Sequence, residues 1–133
     1  MLFRSGAKTK LCVNQFMGNV MTSLSESITL AEKCGGSSFS SNDLVEVLLN
    51  GALSSPIVKA KGPNMIKNNF EPNFPLEHQA KDLKLAVELG NEHGLKNLAV
   101  TEKSLEIFKK VEGQQESQID MCGVVKAYRE KNE

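Results

Sequence analysis

Apolar residues recur along the first third of the chain in steps of three and four after Leu11, through Phe16, Met17, Val20, Met21, Leu24, Ile28 and Ala31. This spacing predicts a helix with one buried stripe. Ser5 can cap its start and Gly35-Gly36 can end it. At about 1.5 Å per residue such a helix exceeds roughly 40 Å, which makes it the spine for shorter helices or an arm into a second chain. Ser37 to Ser41 reads as a polar loop. Asn42 or Ser41 then caps a second helix from Asp43 to Leu49, with Leu44, Val47 and Leu48 facing inward and Asn50-Gly51 as its stop. Ser55-Pro56 opens a third helix, a cap followed by proline at the first helical position, and Gly62-Pro63 breaks or kinks it.

Asn68 to Pro75, with two prolines, three asparagines and two phenylalanines, predicts an extended connector with anchored aromatics. Helical periodicity resumes through Leu76, Ala80, Leu83, Ala86, Val87 and Gly90 to about His93, with Gly94 as terminator. Thr101 caps a fifth helix carrying Leu105, Ile107, Phe108 and Val111 to Gly113. A final helix from Ser117 to Arg129 offers Ile119, Cys122, Val125 and Tyr128. No stretch alternates with β-branched enrichment, so the expected fold is all-α, about six helices around one long N-terminal helix, in a single domain spanning 1–133.

Composition narrows the function classes. Of 133 residues, 40% are hydrophobic and 24% charged, with no run near the roughly 20 apolar residues that span a bilayer, so no membrane segment is expected. Sixteen basic residues balance sixteen acidic ones, which removes the cationic field a nucleic-acid binder needs. The charge is uneven: Arg4, Lys8 and Lys10 precede the first acid, Glu26. An acid-poor amphipathic start can be a mitochondrial leader, but here the apolar pattern runs on past any cleavage point into the fold. Three cysteines, Cys12, Cys34 and Cys122, fall in no CxxC pair. They suit a reducing compartment, hence the cytoplasm, with mitochondrion or plastid as alternatives. Two histidines cannot build a histidine-rich metal site, and no metal is expected.

Neither GxGxxG after a strand nor GxxxxGK[ST] is present, so a phosphate-cradling loop of either common kind is missing. His78 and His93, on the outer turns of the fourth helix, read as solvated or capping residues. Glu26, beside core positions, reads as a hydrogen-bonded structural carboxylate. Lys10 and Asn14 stand four residues apart and share a helix face, and Gly18 one turn on leaves that face bare, which predicts a small polar notch. Near the positive end of the helix dipole Lys10 is expected to give up its proton more readily, which suits an acid catalyst; the alternative is a solvated lysine beside an ordinary asparagine. Lys81-Asp82 reads as a solvated charge pair.

The run Gly6-Ala7-Lys8-Thr9-Lys10-Leu11-Cys12-Val13-Asn14, followed by Gly18, Ser25-Glu26 and Leu30-Ala31, resembles the helix that opens the C-terminal domain of the β-hydroxyacid dehydrogenases, the 3-hydroxyisobutyrate dehydrogenase-like family. Lys61-Gly62-Pro63-Asn64-Met65, Phe74-Pro75-Leu76, Lys81-Asp82-Leu83-Lys84-Leu85-Ala86 and the closing Asp120, Val124-Val125 and Ala127-Tyr128 are similar to its glyoxylate/succinic semialdehyde reductase branch. The resemblance implies a helical domain like the C-terminal domain of 6-phosphogluconate dehydrogenase, which supplies the catalytic lysine and mediates homo-oligomerisation, while an N-terminal Rossmann domain, absent from this chain, holds NADP(H) or NAD(H). By the same resemblance Lys10 matches the catalytic lysine, Asn14 the asparagine that orients substrate, Phe74 and Asp82 cleft residues that bind a small carboxylate or aldehyde substrate, and Lys81 a residue near the cofactor. Arg4, Thr9, the longer Ser37–Ser41 loop and Leu98 depart from the family pattern, which bears on rate and substrate range. Without its cofactor domain the chain is expected to be inactive alone. It is then either the lysine-bearing half of an oxidoreductase or a helical dimerisation module that has lost chemistry.

Overall fold

The computed structural model describes residues 5–114 and 117–129; Arg4 lies outside them. In chain order come α1 (Ser5–Cys34), α2 (Ser41–Leu49), α3 (Pro56–Lys67), α4 (Leu76–Glu92), α5 (Ala99–Glu112), a 3-10 turn (Met121–Val125) and the short α6 (Lys126–Arg129). The expected all-α architecture is what forms, and α1 is its spine, touching every other helix and the 3-10 turn. Its stripe of Met21, Leu24 and Ile28 is buried against Val45 of α2, Val58 and Met65 of α3, Leu76, Ala80 and Leu83 of α4, Phe108 and Val111 of α5, and the Met121–Val125 turn. Each fully buried Leu, Ile or Phe in this set contributes about 1.5–3 kcal/mol of transfer free energy. No helix is long and apolar enough to cross a membrane among the described residues.

Several boundaries differ from the sequence expectation, each for a local reason. Ser40, not Ser41 or Asn42, caps α2, its side chain accepting from the Asp43 N–H while Asp43 accepts from the Ser40 N–H. That reciprocal box starts the helix two residues early. It also turns Val45 inward and leaves Val47 70% exposed. Helix α3 does not break at Gly62-Pro63 but runs to Lys67 and ends at Asn68, whose φ of 57° takes the left-handed cap position. Pro63 forfeits one hydrogen bond, and the turn beyond it recovers the loss by burying Met65 completely.

Helix α5 begins at Ala99 rather than Thr101, which is buried and accepts from Gln15 Nε2 at 2.7 Å and Asn19 Nδ2 at 3.1 Å on α1. One turn on, the Thr22 and Ser104 hydroxyls meet at 2.7 Å. The α1–α5 seam is thus held by small polar pairs where a leucine pair would hold the helices apart. The final segment is shorter than the expected Ser117–Arg129 helix. Pro75, the N-cap of α4, offers no side-chain cap, and the Leu76 and Glu77 N–H groups donate instead to the carbonyls of Ile119 at 2.7 Å and Ser117 at 3.1 Å. Those residues remain non-helical because they satisfy another helix's open donors. Glu26 is exposed rather than set in the core, and Tyr128 donates to it at 3.3 Å.

Cys12 and Cys34 are exposed and Cys122 is buried. Burial, reinforced by a hydrogen bond to Asp120 and its charge, pushes the Cys122 thiol up to about 12. Since the thiolate is the nucleophile, iodoacetamide at pH 8 should label Cys12 and Cys34 and leave Cys122 unmodified until the chain is denatured. Mass spectrometry of the native digest checks this, and rapid native labelling of Cys122 would contradict the burial.

Candidate functional site

Three consecutive turns of α1 carry Lys10, Asn14 and Gly18 along one face, and α4 crosses that face. Lys10 is exposed near the helix start. Asn14 is half-buried, and its Nδ2 donates to Asp82 Oδ2 at 2.9 Å across 68 positions of sequence. The structure therefore brings together two of the residues singled out from sequence, and places Lys10 one turn before them. Lys81, the preceding residue on α4, is exposed. Gln79, fully buried, donates from Nε2 to the Asn14 main-chain carbonyl at 2.8 Å.

Gly18 does not open the notch expected from its bare face. A Cβ there would lie 2.6 Å from Gln79 Nε2 and 2.9 Å from Leu83 Cδ2. The missing side chain is occupied by α4 itself, and the glycine serves close helix approach rather than a ligand.

Phe74 stands at the foot of α4, half-buried, edge-on to the His78 ring with centroids 6.2 Å apart and planes at 76°. Its main chain is fixed by Asp120, a residue to which the sequence pattern assigns no role. Asp120, with no solvent exposure, accepts through Oδ1 from the Asn73 and Phe74 N–H groups at 2.9 and 3.0 Å and through Oδ2 from Cys122 N–H at 3.0 Å. Lys61 Nζ from α3 completes the set at 2.9 Å from Oδ2, its side chain 5% exposed. Burial alone would raise the Asp120 pKa, but the three backbone donors and Lys61 outweigh it and hold the carboxyl down at about 2. The Pro75–Asp120 bridge and the Asp120-to-Phe70 and Met121-to-Phe74 main-chain bonds tie down the rest of the connector. A lysine on the buried stripe Val58, Lys61, Met65 is the signal that could have revealed the pair, because an unpaired ammonium there would be prohibitive.

Chemically, the site offers an exposed ammonium at Lys10 beside an amide already committed to a carboxylate. With one Nδ2 hydrogen on Asp82, Asn14 keeps its Oδ1 and a second N–H for a ligand. Among the described residues no three His, Cys, Asp or Glu side chains cluster as metal ligands would. The pyrophosphate of a dinucleotide requires a glycine-rich turn leading into a helix N-terminus, and among the described residues no GxGxxG run precedes a helix.

Comparison with known proteins agrees with this architecture. The chain is 40% identical over 125 residues to glyoxylate/succinic semialdehyde reductase 1 of Arabidopsis thaliana, which covers 94% of this chain and 42% of that protein. It is 33% identical over 126 residues to cytokine-like nuclear factor N-PAC of Mus musculus, covering 93% of this chain and 22% of the relative. The fold superposes on the solved structure of Mycobacterium tuberculosis 3-hydroxyisobutyrate dehydrogenase with L-serine, with a TM-score of 0.82 at 22% identity, over 95% of this chain and 44% of that one. The chain thus spans less than half the length of these relatives. A family profile described as NAD-binding of NADP-dependent 3-hydroxyisobutyrate dehydrogenase matches residues 5–128, and the chain belongs to that family of NAD(P)-dependent hydroxyacid dehydrogenases.

Proposed function

We propose that the chain is the helical half of an NAD(P)H-dependent reductase of small aldehydes and 2-oxo acids such as glyoxylate or succinic semialdehyde, and that Lys10 is its proton donor. The Asn14–Asp82 hydrogen bond one turn from Lys10 carries this reading, because it joins residues 68 positions apart into one polar group where α4 meets α1. Reduced nicotinamide, when bound, supplies a hydride to the carbonyl carbon. Negative charge then develops on the carbonyl oxygen, and an ammonium within hydrogen-bond reach stabilises that charge and transfers its proton. Asn14 holds the substrate in register, Phe74 walls the cleft, and the positive charge of Lys10 suits a carboxylate-bearing substrate. The test is to join the chain to a dinucleotide-binding domain of the family and follow NADPH oxidation with glyoxylate. Turnover supports the reading; a folded, NADPH-binding protein without turnover on either substrate overturns it.

The chain alone is expected to give a flat calorimetric titration with NADPH, since Lys81 cannot replace the loop that grips pyrophosphate. A micromolar binding constant would move the cofactor site onto these helices.

Self-association belongs to the same reading. Phe16 and Leu53, 70% and 72% exposed, flank an open groove floored by Val20, Leu24, Leu48 and Ile57, and an apolar surface of this kind seldom stays solvated. Sedimentation should report a dimer or larger species, and a monomer alone would count against it. A non-catalytic helical module remains the second reading, favoured by the relative whose name is that of a nuclear factor rather than of an enzyme.

A further inference from the structure

Gln79 reaches out of α4 into α1, and its carboxamide has no solvent exposure. Its Nε2 donates at 2.8 Å to the main-chain carbonyl of Asn14, the residue whose side chain donates to Asp82. Asn14 is thereby tied to α4 twice, once through its main chain and once through its side chain. Room for the carboxamide exists only because position 18 lacks a Cβ, which would stand 2.6 Å from Nε2 and 3.1 Å from Cδ. The other half of the amide gains nothing: Oε1 is buried without a hydrogen-bond partner among the described residues. Turning the amide over would set Oε1 against the Asn14 carbonyl, two acceptors face to face, so the orientation is fixed by chemistry. A methionine would fill the same space with no stranded acceptor. What the glutamine adds over such a residue is the N–H on Asn14.

We propose that Gln79 is a positioning residue which, seated in the Gly18 gap, sets the depth and register of α4 on α1 so that the Asn14 amide stays on Asp82. The functional weight of this rests on the reading of Asn14 and Asp82 as substrate-binding residues; the geometry itself does not.

The experiment is side-chain amide NMR on the 133-residue chain, with no cofactor or substrate present. In Gln79→Met, hydrogen exchange of the Asn14 Nδ2 protons should accelerate at least about tenfold and their two shifts should draw together toward solvent values. The Gln15 and Asn19 amides, which bond Thr101 on the neighbouring seam, should keep their shifts and rates. An unchanged Asn14 amide, or three amides that loosen together, would make Gln79 ordinary packing and overturn the proposal. Should Gln79→Met not fold, Gly18→Ala decides the matter. It keeps the glutamine and displaces its carboxamide, and must produce the same Asn14 signature with the Thr101 pair unmoved. Because no turnover is read, a catalytically silent protein that shows this signature would refute the functional reading and leave the positioning role standing.

Discussion

Asp120→Ala is expected to remove about 3–5 kcal/mol of folding free energy, the usual cost of stranding a buried partner. The variant leaves the Lys61 ammonium, 5% exposed, without its carboxylate, and three backbone N–H groups, those of Asn73, Phe74 and Cys122, without their acceptor. Against a typical total of about 5–15 kcal/mol such a loss brings a domain of this size close to unfolding. Urea denaturation of the isolated chain measures it directly. Lys61→Met in the same background should recover part of the loss by removing the unpaired charge. The same carboxylate makes stability depend on acid. Asp120 is held at about 2 against an ordinary 3.8, so its contribution, about 2 kcal/mol, is present above pH 4 and drains away as pH falls through the folded value. Equal stability of parent and Asp120→Ala, or a parent indifferent to pH between 5 and 2, would contradict the account.

That pair also marks where sequence reading stopped. The long helix, the Ser55-Pro56 start, the Gly94 stop and the all-α class were legible because periodicity, caps and breakers are local signals, repeated several times over each element. The run of α3 through Pro63 was not, since the reward for continuing lies in Met65 and Lys61 meeting partners from other elements. A break or kink expected at Gly62-Pro63 obscures the Val58, Lys61, Met65 stripe, and with it the need for a buried anion from elsewhere. The Ser117–Arg129 helix failed for the converse reason: the carbonyls of Ser117 and Ile119 serve α4, a demand visible only once the two segments adjoin. At the site, Lys10 and Asn14 followed from a four-residue spacing. The Asn14–Asp82 hydrogen bond, and the role of Gly18 as a seat for Gln79, depend on how α4 crosses α1, and no local pattern encodes a crossing.

Lys10→Ala, in a protein that joins this chain to a dinucleotide-binding domain of the family, is expected to lower kcat for glyoxylate or succinic semialdehyde reduction by about 10² to 10⁴, the range for loss of a positioned general acid. Cofactor affinity should hardly change, because the pyrophosphate is gripped by the other domain. Asn14→Ala should act more mildly and partly through KM, as befits a residue that orients substrate and exchanges no proton with it. A lysine that merely decorates the surface of α1 would leave both variants within about twofold of the parent. Steady-state kinetics of Lys10→Ala beside the parent is the most direct test of the claim that these helices carry the proton-donating group. A kcat loss of at least about a hundredfold with NADPH binding intact is expected, and an unimpaired Lys10→Ala enzyme would contradict the assignment of Lys10 as proton donor.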